Sequence, residues 1–471
     1  MKQMHLFAFK NAGVGHTAVG LWRHPSNRAS EYKDIRYWTQ TARTLEEGRF
    51  DGLFIADFLG LADTYGGNAD AALREAIHVP VNDPAMAVSA MAAVTEHLGF
   101  GITVSTTFEQ PYSLARKLTT LDHLTKGRVG WNIVTSYQES AARNLGLEHL
   151  IEHDERYVIA DEFMDVVYKL WEGSWEDGAV VMDRARNVFA DPARIHPANH
   201  RGKYFSAPDA FLCEPSIQRT PTLFQAGASA SGKAFGAKHA EAVFFIETRP
   251  DAMRKLVAEG RELVAQQGRA PQSVKFLGGI SVVTGSSDAE AEDKFAEYLR
   301  FVSEEGTLAR QSSLMQIDFS GVDLDQPVKY IENQGIRYIL ERFTKGDPGR
   351  TWTPRQLARE IGKSLGGLTL VGSASTVADK LEELMDTTDL DGFNICDYMP
   401  LECLPEFVKR VTPELQRRGR LRVEYDGTTL RENIAGANRK RLPDDHPGAR
   451  FRRETPQSAI LPEREGLISV R

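Results

Sequence analysis

The 471 residues carry 57 Lys and Arg against 65 Asp and Glu, a net charge of −8, with 41% hydrophobic residues and three cysteines. Such a chain has no basic footprint for nucleic acid and no apolar run able to span a bilayer, and the scattered thiols Cys213, Cys396 and Cys403 make no disulfide frame. Its length allows one large single-core domain or two to three ordinary ones, and the stretch Met1–Gly13 is too weakly apolar for a signal peptide, which predicts a cytoplasmic protein.

In chain order, Leu6–Phe9 reads as a short strand, followed by a loop, Asn11–Pro25, that holds His16 and His24. Tyr32–Glu47 places Ile35, Trp38, Ala42 and Leu45 at helical spacing and stops at Gly48. Phe50–Ala56 is a second strand ending at Asp57. A polar excursion, Phe58–Asp83, separates it from a helix over Pro84–Glu96. Phe100–Val104 is a third strand, ending in Ser105-Thr106-Thr107, with a helix over Tyr112–Leu124. Val129–Val134 is an unbroken apolar or half-apolar run after the turn signal Lys126-Gly127, as a parallel strand buried on both faces requires, and it opens into Thr135, Ser136, Tyr137 and Gln138. Asp154 and Glu155 then begin a helix whose apolar face is Tyr157, Ala160, Met164, Val167 and Trp171.

The alternation breaks at Gly173–Pro215, rich in Gly, Asp, Pro, Asn and aromatics, which reads as an inserted hairpin-and-loop segment covering the mouth. It resumes with strand Pro221–Ala226, helix Ser229–His239, strand Ala242–Ile246, helix Ala252–Gln267, strand Val274–Val283 and helix Ala289–Val302. A second irregular region, Ser303–Gly366, holds a helical piece at Gln356–Leu365. Helix Ser375–Met385, strand Gly392–Ile395 and helix Pro405–Arg417 complete the pattern. Eight strands, most followed by helices, with no GxGxxG after the first, predict a closed (β/α)8 TIM barrel over residues 1–419 rather than an open dinucleotide-binding sheet. Its insertions fall at about 173–215 and 303–366, and residues 420–471 read as an extension packing on the barrel or on a neighbouring subunit.

In such a barrel the residues just past the strand ends converge on one face. Here they are Asp57, Thr103 with Ser105, Asn132 with Thr135 to Tyr137, Gly227 to Ser231, and Glu247. Gln225–Gly232 is a small-residue turn that either cradles a phosphate on free N–H groups and the Ser229 or Ser231 hydroxyl, or is an ordinary serine N-cap. The turn at Gly372–Thr376 reads as plain capping. His153 and Tyr157, one helical turn apart at a positive helix end, are suited to an anion, while Tyr157 also fits as core. His149 and His153 have the i,i+4 spacing of a metal pair but lack a third ligand and an HExxH pattern. His196 and His200 read as surface residues. Phe9, His16, Phe58, Tyr65, His78, Phe108 and Tyr137 would ring the opposite side of the mouth, where aromatics exclude water and a histidine could exchange a proton near neutral pH.

Trp131–Ser136 (WNIVTS), Ala142–Asn144 (ARN), Glu152–Tyr157 (EHDERY), Asp161–Phe163 and Leu170-Trp171 resemble the flavin-dependent monooxygenases of the bacterial luciferase-like superfamily. The branch is that of the nitrilotriacetate, dibenzothiophene-sulfone and long-chain alkane monooxygenases. The likeness runs from about Met4 to about Gly419, and the alkane-oxidising members are closest in Gly20–Pro25, Arg74–Pro84, Leu124–Asn132 and Leu212–Pro221. It implies the oxygenase component of a two-component FMNH2-dependent monooxygenase. A separate NAD(P)H:flavin reductase would supply reduced FMN, which reacts with O2 to a flavin C4a-(hydro)peroxide that hydroxylates a small organic substrate or cleaves its C–N, C–S or C–halogen bond. The family's positions imply FMN binding by Asp57, Thr103, His153, Tyr157 and Ser229, with Ala56, Asn132 and Ala228 as neighbours, and catalysis by His16, Tyr137 and His78. Tyr137 departs from the alkane-oxidising members, which have a catalytic histidine there. Tyrosine is a poor base at neutral pH, so proton handling passes to His16 or His78 or is absent, which bears against an alkane substrate. The likeness also implies homodimers or homotetramers. A deazaflavin-dependent barrel oxidoreductase and a non-catalytic flavin-binding protein stay open as alternatives.

Overall fold

The computed structural model describes residues 2–327, 351–364 and 367–453; the remaining parts of the 303–366 insertion and of the 420–471 extension, Leu365 and Gly366 among them, lie outside the described residues. Eight parallel strands close a barrel: β1 His5–Asn11, β2 Gly52–Ala56, β3 Gly99–Ser105, β4 Val129–Val134, β5 Thr222–Gln225, β6 Ala242–Phe245, β7 Lys275–Thr284 and β8 Gly392–Cys396. Each pairs with the next, and β8 returns to β1 in the register His5↔Gly392 to Phe9↔Cys396. All eight predicted strands are present, with bounds shifted by one or two residues. The longer helices are α1 Ile35–Glu47, α2 Ala85–Ala92, α3 Pro111–Thr125, α4 His153–Trp171, α5 Ala230–His239, α6 Pro250–Gln266, α7 Asp288–Leu299, α8 Glu304–Met315, α9 Pro354–Lys363, α10 Ala374–Thr388 and α11 Cys403–Arg417. No described helix is long and apolar enough to cross a membrane.

The period of two along each strand divides the core in half. Leu6, Ala8, Leu53 and Ile55 face outward and pack under the helices. Phe7, Phe9, Phe54, Phe224, Phe244 and Leu277 face inward and fill the barrel, with phenyl centroids such as Phe9–Phe244 at 5.3 Å and Phe7–Phe224 at 5.4 Å. Leu430 and Ile434, on the short helix Leu430–Ala435, plug the N-terminal end of the strands, and the Leu430 amide donates to the Gly127 carbonyl at 3.0 Å. A Cβ at Gly130 would stand 2.5 Å from Phe224 Cε2 and 3.1 Å from Leu430 Cδ2, so only glycine lets the plug seat.

Three features depart from the sequence expectations. The first insertion forms two hairpins, Val180–Asp183 with Val188–Ala190 and His200–Arg201 with Ser206–Ala207, neither of which lines the mouth, and the second is laid along α4. Glu162 of α4 accepts from the Lys203 and Phe205 amides at 3.0 and 2.8 Å, and His200, expected at the surface, is buried between Glu162 and Lys169. His196 is half-buried against Glu176 at 2.7 Å. In the second insertion, α8 is buried along its length from Gly306 to Met315, yet that run includes Thr307, Arg310, Gln311, Ser312 and Ser313, so the sequence shows no apolar stripe. Finally, β7 is long enough to serve two partners on the edge away from β6. Leu277–Ile280 pair with β8, and Ile280–Thr284 pair with a ninth strand, Leu368–Gly372, outside the barrel.

Candidate active site

A cavity of about 380 Å³ opens at the C-terminal ends of the strands, within the range of small-molecule sites, roughly 300–1,000 Å³. Its floor is the top layer of the aromatic core, Phe9, Phe54 and Phe244. Its roof is the second insertion: Arg310, Gln311 and Leu314 of α8 with Ile361 and Ser364 from α9 and its end. No described residue of 173–215 lines it.

On one side the walls form a cradle. Ser229 caps α5 by accepting from the Gly232 amide at 3.1 Å, while Gln225 Oε1 accepts from the Gly227 amide at 2.7 Å and holds the turn open. A Cβ at Gly227 would lie 2.3 Å from Gln225 Nε2, 2.9 Å from Gly232 Cα and 3.0 Å from the Tyr157 hydroxyl. Burial raises Tyr157 above the ordinary phenol range, against hydrogen bonds with Thr135 and Ser229 that favour its ionised form. The His153 ring lies 5.4 Å from that of Tyr157 and bonds Asp154 at 2.7 Å; Ser231 donates to the same carboxylate and stays out of the cavity wall. At the strand ends, Asn132 Nδ2 donates to Thr103 Oγ1 at 2.9 Å across the β3–β4 register, leaving Asn132 Oδ1 buried without a partner.

On the other side, His16 packs between Phe9 at 4.8 Å and Phe58 at 5.1 Å, and Tyr137 closes the wall. Burial pushes His16 down to about 3, with the Arg310 charge adding to the shift. His78 lies behind the wall, not on it. It stacks on Phe58 at 3.8 Å and meets His16 edge-on at 5.1 Å, and burial holds it well below the usual imidazole range. Both histidines are therefore neutral near pH 7, contrary to the expectation that one exchanges a proton there. The acid that does titrate in that range is Asp57, which burial pushes up to about 7 against the Phe58 amide that donates to it at 2.9 Å. Burial also raises Tyr137, so it is a hydroxyl donor.

The structure thus brings Ala56, Asp57, Thr103, Asn132, His153, Tyr157, Ala228 and Ser229 to one cavity together with His16 and Tyr137. Tyr65 packs instead against Leu308, Phe319 and Trp352, Phe108 is outside the lining, and Glu247 turns back to accept from the Thr248 and Arg249 amides. Among the described residues no group of three or more His, Cys, Asp and Glu stands where it could hold a metal ion. Two charged lining residues escaped the sequence reading. Arg156, at the third position after His153 on α4, is 1% exposed with Nε and Nη1 unpartnered, and Arg310 of α8 is 7% exposed. The signal for Arg156 was its place in the first turn of α4, beside His153 and Tyr157; Arg310 had none.

These features fit FMN. A cradle that a single Cβ would fill, next to the orphaned guanidinium of Arg156, suits a phosphate, and the orphaned amide oxygen of Asn132 suits a ring N–H. Comparison with known proteins points the same way. The sequence profile of the family described as luciferase-like monooxygenase matches residues 4–390. The chain is 48% identical over 453 residues to the dimethyl-sulfide monooxygenase of Hyphomicrobium sulfonivorans, covering 96% of this chain and 94% of that protein. It is 44% identical over 451 residues to the long-chain alkane monooxygenase of Geobacillus thermodenitrificans, covering 96% and 98%. The crystal structure of a riboflavin lyase with modified FMN and substrate riboflavin superposes with a TM-score of 0.91 at 34% identity, over 96% of this chain and all of that one.

Proposed function

The chain belongs to the luciferase-like monooxygenase family, and from that membership we propose that it is the oxygenase component of a two-component system, working in the cytoplasm with a separate NAD(P)H:flavin reductase. Bound in this cavity, reduced FMN supplies two electrons to O2, so that one oxygen atom enters a small organic substrate and the other leaves as water. The observation that carries the reading is the cradle: an open turn at Gly227, the capped start of α5 and the unpartnered Arg156 meet at one edge of an aromatic-floored cavity.

In this reading Arg156, Ser229 and Tyr157 hold the cofactor phosphate, helped by the positive ends of α4 and α5. Asn132 and Thr103 orient the ring, and Ala56 and Ala228 leave it room. Asp57 keeps a proton at its carboxyl up to about pH 7, which lets it donate as well as accept. Phe9, Phe54, Phe58 and Phe244 keep water from the reacting centre. His16, a neutral imidazole, and the Tyr137 hydroxyl orient substrate, with His78 fixing the His16–Phe58 pair from behind. A homo-oligomer is supported by the exposed apolar side chains Val181, Met182 and Phe189 on the first hairpin and by Leu212 near its base, which a second copy would cover.

The test is an anaerobic titration with FMNH2 followed by turnover under 18O2 against thioethers, alkanes and sulfones. Saturable flavin binding with label in a product is the expected result. Flavin binding with no label in any product would favour a binding protein, and turnover without O2 on a deazaflavin alone would favour hydride transfer.

A further inference from the structure

Resting on that reading of the cavity, we propose that the substrate carries an oxyanion head, a carboxylate or sulfonate, on a short apolar body, and that Arg310 binds the head with Gln311 and Tyr137 beside it. Arg310 sits mid-way along α8 with its side chain in the cavity wall, 7% exposed. It makes no hydrogen bond or ion pair with any described residue, and its Nε is buried without a partner; so is Oε1 of the neighbouring Gln311. The acidic residues of the same helix are taken elsewhere: Glu304 pairs with Arg355 at 2.9 Å and Arg359 at 3.3 Å, and Glu305 with Arg74 at 3.0 Å. The groups its charge reaches are Tyr137, Cys396, His16 and His78, all of them neutral at pH 7. No carboxylate is among them. A guanidinium cannot shed its charge in a protein, so a cation buried this way has no counter-charge among the described residues, and a ligand would supply one.

The flavin phosphate is a poor claimant for that place. Its cradle follows β5 and the start of α4, where Arg156 already serves it, whereas α8 packs on the loop after β2 through the short helix Asp70–Glu75. The planar fork of Arg310 matches two oxygens of one carboxylate or sulfonate, and the Gln311 amide can donate to a further oxygen. In the same cavity, Phe9, Phe58, Leu314 and Ile361 offer only apolar contact, which suits a short hydrocarbon or thioether body.

The experiment uses matched probes of one length: 3-(methylthio)propanoate, its sulfonate analogue and its carboxamide. Equilibrium dialysis reads their binding with and without oxidised FMN, and KM is measured with FMNH2 and O2. Wild-type protein should bind either anion about 100-fold more tightly than the amide, Arg310→Met should abolish the difference, and Arg310→Lys should restore part of it, as expected when one partner of a buried charged pair is removed. FMN affinity, followed by flavin fluorescence, should change less than about threefold in both variants. Equal binding of anions and amide by wild type would overturn the proposal, and so would Arg310→Met losing all three probes alike. A flavin affinity that falls with Arg310→Met would give the residue to the cofactor instead. Absence of flavin binding in wild type would sink the monooxygenase reading alone, because dialysis without FMN still reads the head-group site.

Discussion

The two ends of the barrel treat buried arginine in opposite ways. At the N-terminal end of the strands, Arg431 meets Glu241 at 2.6 Å and donates to the Thr220 carbonyl at 2.8 Å, and Arg422 meets Asp51 at 2.8 Å. Arg128 there donates to the carbonyls of Thr125, Leu98 and Ala92 and to Thr95 Oγ1, all within 3.1 Å. At the C-terminal end, Arg156 and Arg310 are as deeply buried and make no ion pair among the described residues, although the charges of Glu139, Glu152 and Asp154 reach Arg156. Desolvating a guanidinium costs several kcal/mol wherever it happens. At the base that cost is offset by ion pairs and carbonyls inside the protein, so the arginines hold the fold; at the mouth no ion pair offsets it among the described residues, which is the ground for the proposal that these two hold ligands.

The contrast is broken or sharpened first by stability. Arg431→Met leaves Glu241 buried beside an apolar side chain and should cost about 3–5 kcal/mol, read as a fall in the urea midpoint without flavin. Arg156→Met and Arg310→Met remove charges that make no ion pair among the described residues and should leave that midpoint unchanged or higher. A mouth variant that destabilises as much as Arg431→Met would show that the mouth arginines are structural after all.

Flavin affinity reverses the ranking. Arg156→Met should weaken FMN binding by roughly 2 kcal/mol, about 30-fold, the worth of a charge-assisted hydrogen bond to phosphate. Arg431→Met should leave affinity of the folded fraction unchanged. Gly227→Ala acts on the same cradle without touching charge. Its methyl would meet Gly232 Cα at 2.9 Å, a backbone contact that cannot swing aside, so a loss near 1.4 kcal/mol, about tenfold, is expected in the same titration.

The barrel and the place of the Gln225–Gly232 turn at its mouth were legible in the sequence because each is built from contiguous stretches tied to a strand end. Trp131–Tyr157 supplies a buried strand, its polar mouth and the start of α4, and Gln225–Gly232 supplies the turn, so period and spacing alone carry them to the right place. Of the roof, α9 was legible as the helical piece at Gln356–Leu365, and α8 was not. α8 buries Thr307, Arg310, Gln311 and Ser312 where a core helix would bury leucines, with Arg310 and Gln311 turned to the cavity, and this erases the apolar stripe that announces a helix. His78 failed for a different reason. Whether it lines the wall or backs it depends on how the long loop after β2 stacks it on Phe58, and no spacing rule encodes that. The ninth strand, Leu368–Gly372, pairs only because β7 outruns its barrel partner, a property of β7 rather than of its own five residues.

The smallest expected effect compares the two carboxyls that bracket β2. Asp51, at the base, is pushed up by burial but pulled further down by the Arg422 and His5 charges, so its folded value lies below 3.8. Its share of stability is present above about pH 4 and lost as pH falls through the folded value. Asp57, at the mouth, lacks such a partner and is held up at about 7. Its share is full below pH 3.8, shrinks as the unfolded chain releases the proton that the folded chain keeps, and is gone once pH passes about 7. The stability difference between wild type and Asp57→Asn should therefore slope between about pH 4 and 7, in favour of the variant as pH rises. For a partly exposed group the slope should stay below about 1 kcal/mol per pH unit. Asp51→Asn should be flat over that window and diverge only in acid. Urea midpoints taken at half-unit steps would resolve both limbs, and a flat Asp57→Asn difference would mean that the mouth carboxyl is as well satisfied as the one at the base.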